Sequence, residues 1–206
     1  YSLNADVRSS TEEILDLVKT SIDLNKSVVA SLVMDSCNKS MVRWSGSRFR
    51  RLSRWVPVFV SRYVYKPGER IENIQTSIYE VDEVHGRGVL IPADVFKKIG
   101  NYDYTTFPQY GGDTDFSFRA KKAGIKLYVN PMCKAYVRAD NTSIINLTNK
   151  KVLDRMCNIF NYLFKRKHGE ALRVWWLLMF RHVPFRYVLQ SYFFVISINI
   201  FRRLVG

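Results

Sequence analysis

Apolar positions recur at two spacings along this 206-residue chain, and the change from one to the other divides it. Near the start, Ile14, Leu17, Val18, Ile22 and Leu24 follow helical spacing, and Ser10 and Glu13 precede them in the pattern of a capping box. The spacing predicts an amphipathic helix that begins just after Ser10. The run SVVASLVM (27–34) is short, unbroken and apolar, as a strand buried on both faces must be. Residues 38–77 lack periodicity, are crowded with arginine and aromatic residues, and read as a long basic loop or subdomain. IYEVDEV and GRGVLI then read as strands, with Gly86 and Gly88 marking a close backbone passage. Pro92 and Gly100 bracket a short helix, and an aromatic loop runs from Tyr102 to Tyr110. YGGDTDFSFRAKKAG (110–124) reads as a second short helix, and IKLYV as a strand that Asn130 and Pro131 stop. Helices and strands mixed in this way predict an α/β fold.

From about Thr148 the pattern is helical only, which predicts a division into residues 1–147 and 148–206. Val152, Met156, Ile159, Phe160 and Leu163 share one helical face. Two apolar runs follow, VWWLLMF (174–180) and YVLQSYFFVISINIF (187–201), separated by Pro184 and flanked by arginines. The longer has 15 residues and contains Gln190, Ser191 and Asn199. It falls short of the roughly 20 apolar residues that a membrane-spanning helix needs. A helix lying in the membrane interface is one expectation, and a core helix pair packed on the α/β part is the other.

Charge sharpens the first of these. The chain has 32 Lys and Arg against 18 Asp and Glu, a net charge of +14. From Lys151 onward ten basic residues face two acids, Asp154 and Glu170, a net of +8 for the tail. Such an excess calls for a phosphate-bearing partner: nucleic acid, anionic lipid or a nucleotide-linked substrate. The stretch Arg43–Arg70 has the cations and rings of a nucleic-acid surface, but no recognition motif accompanies it. Cys37, Cys133 and Cys157 are too scattered for a zinc site or a disulfide framework, and read as reduced thiols of a cytosolic protein.

Asp113 and Asp115 hold the candidate chemistry. From spacing alone Asp113 is a natural N-cap and Asp115 a first-turn acid favoured by the helix dipole. Their setting adds a second reading. The run VDEVHGRGVLIPADVFKKIGNYDYTTFPQYGGDTDFSFRAKKAGIKLYVNPMCKAYV (81–137) resembles the second half of a family 2 glycosyltransferase of the GT-A fold. Gly86, Val95, Phe96, Gly100, Tyr102, Asp103, Asp113, Asp115, Arg119, Gly124 and Pro131 match that family's pattern. Asn4-Ala-Asp6 and the capped helix after it are similar to the family's Asp-x-Asp motif.

The resemblance implies a Rossmann-like GT-A sheet with a helical, membrane-associating extension. It implies an inverting, metal-assisted hexosyl or deoxyhexosyl transfer from a nucleotide-diphospho-sugar donor to a lipid-linked or polysaccharide acceptor, at the cytoplasmic face of the cell membrane. Asp113 takes the position of the general base, which must receive the acceptor hydroxyl's proton as that oxygen attacks the anomeric carbon. Asp115, Arg119 and Gly86 match acceptor-side positions; His85 is either an acceptor contact or a hydrogen-bonded structural histidine. Asn4 and Asp6 fall at the donor diphosphate, with Asp6 as ligand to Mg²⁺ or Mn²⁺, cations that favour oxygen donors. The family's nucleotide-binding half would precede Asn4, so the resemblance implies a fragment, or a chain completed by another chain or domain. Gly112 stands where the family has Glu, and Val137 where it has a metal-binding His. A non-catalytic, transferase-like scaffold subunit is therefore the alternative expectation.

Overall fold

The computed structural model describes residues 2–3, 7–52, 58–138, 152–165 and 171–205. They fall into two compact units: Tyr1–Phe49, Ser61–Tyr102 and Phe116–Asn141 form the first, and Arg50–Val60, Asp103–Asp115 and Thr142–Gly206 the second. The helical tail is thus joined in its unit by two segments from earlier in the chain.

The first unit is α/β, with a mixed sheet ordered β1 (Ser2–Leu3), β8 (Arg87–Leu90), β3 (Val28–Asp35), β9 (Leu127–Val137), β2 (Val7–Arg8); β4 (Val42–Trp44) adds to β3, and β7 (Tyr79–Val81) to β9. At its centre β3 runs parallel to β9 and antiparallel to β8, and all eight of its residues are buried. Alternation along the strand requires cover on both faces. Val28, Ala30, Leu32 and Met34 enter the main core with Val95 of α2 (Ala93–Ile99) and with Phe116 and Ala120 of α3 (Gly112–Lys122). Val29 packs instead with Leu17 of α1 (Thr11–Asp23) and with Cys133.

The expected capping box is present: Glu13 N–H donates to Ser10 Oγ at 3.2 Å and Ser10 N–H to Glu13 Oε2 at 2.8 Å. Pro92 and Gly100 do bracket a helix. Four expectations change. In α1 the buried side chains are Leu17, Thr20 and Ser21, while Val18 and Ile22 are exposed. Polar residues face inward because partners wait there: Ser21 Oγ donates to Ser27 O at 2.7 Å, and Asn130 Nδ2 to Thr20 Oγ1 at 2.9 Å. Nor does β9 stop at Pro131. Its pairing with β3 skips from Asn130 to Lys134, so the imino acid sits in a bulge where no ladder donor is needed. Asn130 Oδ1 accepts from Met132 N–H at 3.0 Å and braces that bulge. Residues 38–77 contain β4, β5 (Ser47–Arg51), β6 (Phe59–Tyr63) and a 3-10 turn at Ile71–Asn73, strands too short to show a period. Finally, α3 begins at Gly112, so Asp113 lies in the first turn rather than at the cap.

In the second unit α4 (Val152–Phe164), α5 (Ala171–His182) and α6 (Val188–Val205) pack on one another. They meet where Trp175 Nε1–H donates to Tyr162 Oη at 3.3 Å and the Arg203 guanidinium lies 3.9 Å from the Tyr162 ring centroid. Phe59 N–H donates to the buried Ser191 Oγ at 3.0 Å, tying the β6 end to α6. On α4, Met156 and Phe160 of the expected apolar face are exposed. Among the described residues no helix is long and apolar enough to cross a membrane.

Gly46 has φ +76°, and a Cβ there would stand 2.6 Å from Val81 Cγ1 and 2.9 Å from Val129 Cγ2, both in the core. Gly46→Ala therefore combines a left-handed backbone with overpacking, and is expected to lower stability by about 2–4 kcal/mol. Urea unfolding of the two proteins checks this.

Candidate functional site

The acidic turn is built by the segment between α2 and α3. Gly111 precedes α3 with φ +85°, and a Cβ there would meet Val174 Cγ1 at 2.8 Å, so only glycine lets this segment lie so close to α5. Phe107 is buried against Val174 and Leu178. Arg173 Nη2 donates to Thr106 O at 3.1 Å, and the Arg181 guanidinium sits 5.3 Å from the Phe107 ring centroid. In this way α5 supports the whole run from Asp103 to Asp115.

The two acids differ sharply in environment. The Asp115 side chain is fully buried, and its Oδ1 lies 2.9 Å from both Arg181 Nη1 and His182 Nε2. A carboxylate without water is tolerable only with such partners. Asp113, two residues earlier, remains partly exposed. Arg181 Nη1 also reaches Asp103 Oδ2 at 2.9 Å. Burial by itself would lower the Arg181 pKa, but the carboxylates of Asp115 and Asp103 raise it above its ordinary value, so the guanidinium stays charged. Asp103 is held well below the usual carboxylate range by the Thr106 N–H, the Thr105 and Thr106 hydroxyls and Arg181, against a smaller opposing effect of burial. Its Oδ1 accepts from Thr106 N–H at 2.9 Å and from Thr105 Oγ1 at 2.7 Å.

In the first unit, Gly86 and His85 follow a second buried acid. Glu83 Oε2 accepts from the hydroxyls of Ser47 and Ser61, the latter at 2.8 Å, and Glu83 Oε1 is 3.7 Å from His85 Nε2. The half-buried His85 ring packs on buried Trp44, with centroids 4.7 Å apart. Val84 N–H donates to Ser117 Oγ at 3.1 Å, which fixes this segment to α3. Arg119 donates to Ile99 O at 2.6 Å and Asn101 O at 2.9 Å, so its cation satisfies carbonyls at the C-terminal end of α2.

The structure thus brings Asp113 and Asp115 into one turn and sets Glu83, His85 and Gly86 in one segment. Asn4 and Asp6 lie outside the described residues. Among the described residues no three His, Cys, Asp or Glu side chains gather as a metal site. The sequence reading missed Glu83 and the partnership of Arg181 and His182 with Asp115. A signal for the latter existed only in the Arg-His pair that ends an apolar helical run, and nothing local joins it to an acid 66 positions earlier. No protein-family model matches the chain, and neither does any curated protein.

The depressed pKa of Asp103 predicts an acid-sensitive segment. A folded-state pKa below the unfolded value of about 3.9 contributes stability above that pH, which is lost as pH falls further. Amide protection across residues 103–115, read as exchange relative to the intrinsic rate at each pH, is expected to fall progressively below about pH 4 in the wild type. In Asp103→Asn that protection is lower at neutral pH and changes less on acidification.

Proposed function

We propose that this chain is the acceptor-side part of an inverting family 2 glycosyltransferase with a GT-A, Rossmann-like sheet. It moves a hexosyl or deoxyhexosyl group from a nucleotide-diphospho-sugar to a lipid-linked or polysaccharide acceptor. The observation that carries this reading is the difference in burial between the two acids of the motif: Asp115 is fully buried, whereas Asp113 stays partly exposed on the first turn of α3. One carboxylate supports the turn and the other meets the substrate. The proton of the acceptor hydroxyl passes to Asp113 while that oxygen bonds to the anomeric carbon, and the bond from this carbon to the nucleotide diphosphate breaks on the opposite side. Asn4 and Asp6 are proposed to lie at the donor diphosphate, with Asp6 the residue that would hold Mg²⁺ or Mn²⁺, which when bound would offset charge on the leaving diphosphate.

The tail supports action at the inner face of the cell membrane. From Ala171 to Val205 there are five arginines and no acid. Trp176, Phe180, Phe185, Leu189 and Phe193 are exposed, and Trp176 contacts both Phe180 and Tyr192, which in turn contacts Phe193. Exposed aromatic residues on a segment that carries arginine and no acid match an anionic lipid interface. The scaffold reading retains one observation in its favour: buried Val137 stands where the family has a metal-binding His.

Transfer from a panel of nucleotide sugars, with Mg²⁺ or Mn²⁺ and a membrane lipid extract, tests the reading on this chain and on the complete gene product. Asp113→Asn is expected to reduce turnover by about 10²–10⁴-fold with the fold intact. Undiminished transfer by that variant would remove Asp113 from the chemistry, and no transfer by any folded protein would favour the scaffold. Independently, Phe193→Ser is expected to weaken binding to phosphatidylglycerol-containing vesicles by about tenfold, since a buried Phe contributes roughly 1.5–3 kcal/mol. Failure of the wild type to bind such vesicles rejects the membrane assignment.

A further inference from the structure

A single guanidinium closes the acidic segment at both ends. Arg181 Nη1 lies 2.9 Å from Asp103 Oδ2, where the segment leaves α2, and 2.9 Å from Asp115 Oδ1, where it has entered α3. Between these points Arg181 Nη2 reaches Thr106 Oγ1 at 3.4 Å and the guanidinium covers the Phe107 ring. His182, whose side chain is only 2% exposed, gives Asp115 its second partner. Asp113 belongs to the same helical turn as Asp115, so whatever holds Asp115 also sets the direction of Asp113. A segment anchored at one end only would sample many more conformations.

We infer that Arg181 is a positioning residue for sugar transfer: by joining Asp103 and Asp115 it holds the Asp113 carboxylate in the orientation needed to receive the acceptor proton. This rests on reading Asp113 as the base. Arg181 itself touches neither donor nor acceptor in this role. Its effect is geometric, and misplacing a reacting group by about 1 Å can cost around 10²-fold in rate. Lysine restores the charge at this position but not the second nitrogen that reaches Thr106, so it is a partial substitute.

The test compares wild type, Arg181→Met, Arg181→Lys, Asp103→Asn and Asp113→Asn in the complete gene product. Steady-state transfer is measured alongside amide exchange across 103–116, with β3 and β9 as internal controls for folding. Arg181→Met is expected to lower kcat by about 10²-fold while KM for the nucleotide sugar stays within about twofold, because donor binding is untouched. Exchange across 103–116 accelerates and that of β3 and β9 does not. Arg181→Lys recovers part of the lost kcat, and Asp103→Asn, which releases one end only, shows a smaller loss. Wild-type kcat or unchanged exchange in Arg181→Met overturns the positioning role while leaving Asp113 as base. Full transfer by Asp113→Asn, or no transfer by the wild type, overturns both. Should Arg181→Met fail to fold, Asp103→Asn decides: loss of kcat at constant KM supports the inference, and no loss refutes it.

Discussion

Complete burial of β3 is the constraint on which the first unit depends. Eight consecutive residues without solvent need cover on two faces and hydrogen-bonded neighbours on two edges. One edge is taken by β9 and the other by β8 and β4, one face by the core shared with α2 and α3, and the other by Leu17 of α1. Because β9 must follow β3 past Pro131, it bulges there, and the bulge supplies both Cys133 to the smaller core and Asn130 to Thr20. The inward Thr20 of α1 thus meets a partner at that irregularity, while Ser21 beside it bonds to Ser27 O.

A second regularity concerns charge. The buried carboxylates are matched within their own units: Asp35 with Arg43, Asp82 with Lys121 and the Phe49 N–H, Glu83 with Ser47 and Ser61, Asp115 with Arg181 and His182. For Asp35, burial alone would raise the pKa, but the Arg43 guanidinium and the Cys37 and Asn38 amides bring it below the ordinary value. Acids committed to such internal pairs do little to neutralise the outer surface. A chain with a net charge of +14 therefore presents its excess to solvent, where a phosphate-rich surface or substrate can meet it. The proposed transfer uses both consequences, a shaped acidic turn and a cationic, aromatic tail.

What the sequence determined by itself is local. The capping box at Ser10 and Glu13, the short helix between Pro92 and Gly100, the buried run of β3 and the helical character of the tail each depend on residues within a few positions of one another. Their physics is contained in a window of sequence. Tertiary structure alone decided the rest. Pro131 would have ended an isolated strand, yet pairing with β3 resumes at Lys134. Val18 and Ile22 would have joined the apolar stripe of an isolated helix, but the hydroxyls of Thr20 and Ser21 found partners inside and turned the helix. Asp113 and Asp115 are chemically identical and two residues apart, and no local rule separates them. They differ because Arg181 and His182, 66 and 67 positions away, meet the carboxylate of Asp115, which is fully buried, while Asp113 stays partly exposed. Such a distinction arises from contacts between distant parts of the chain, and these exist only once it has folded.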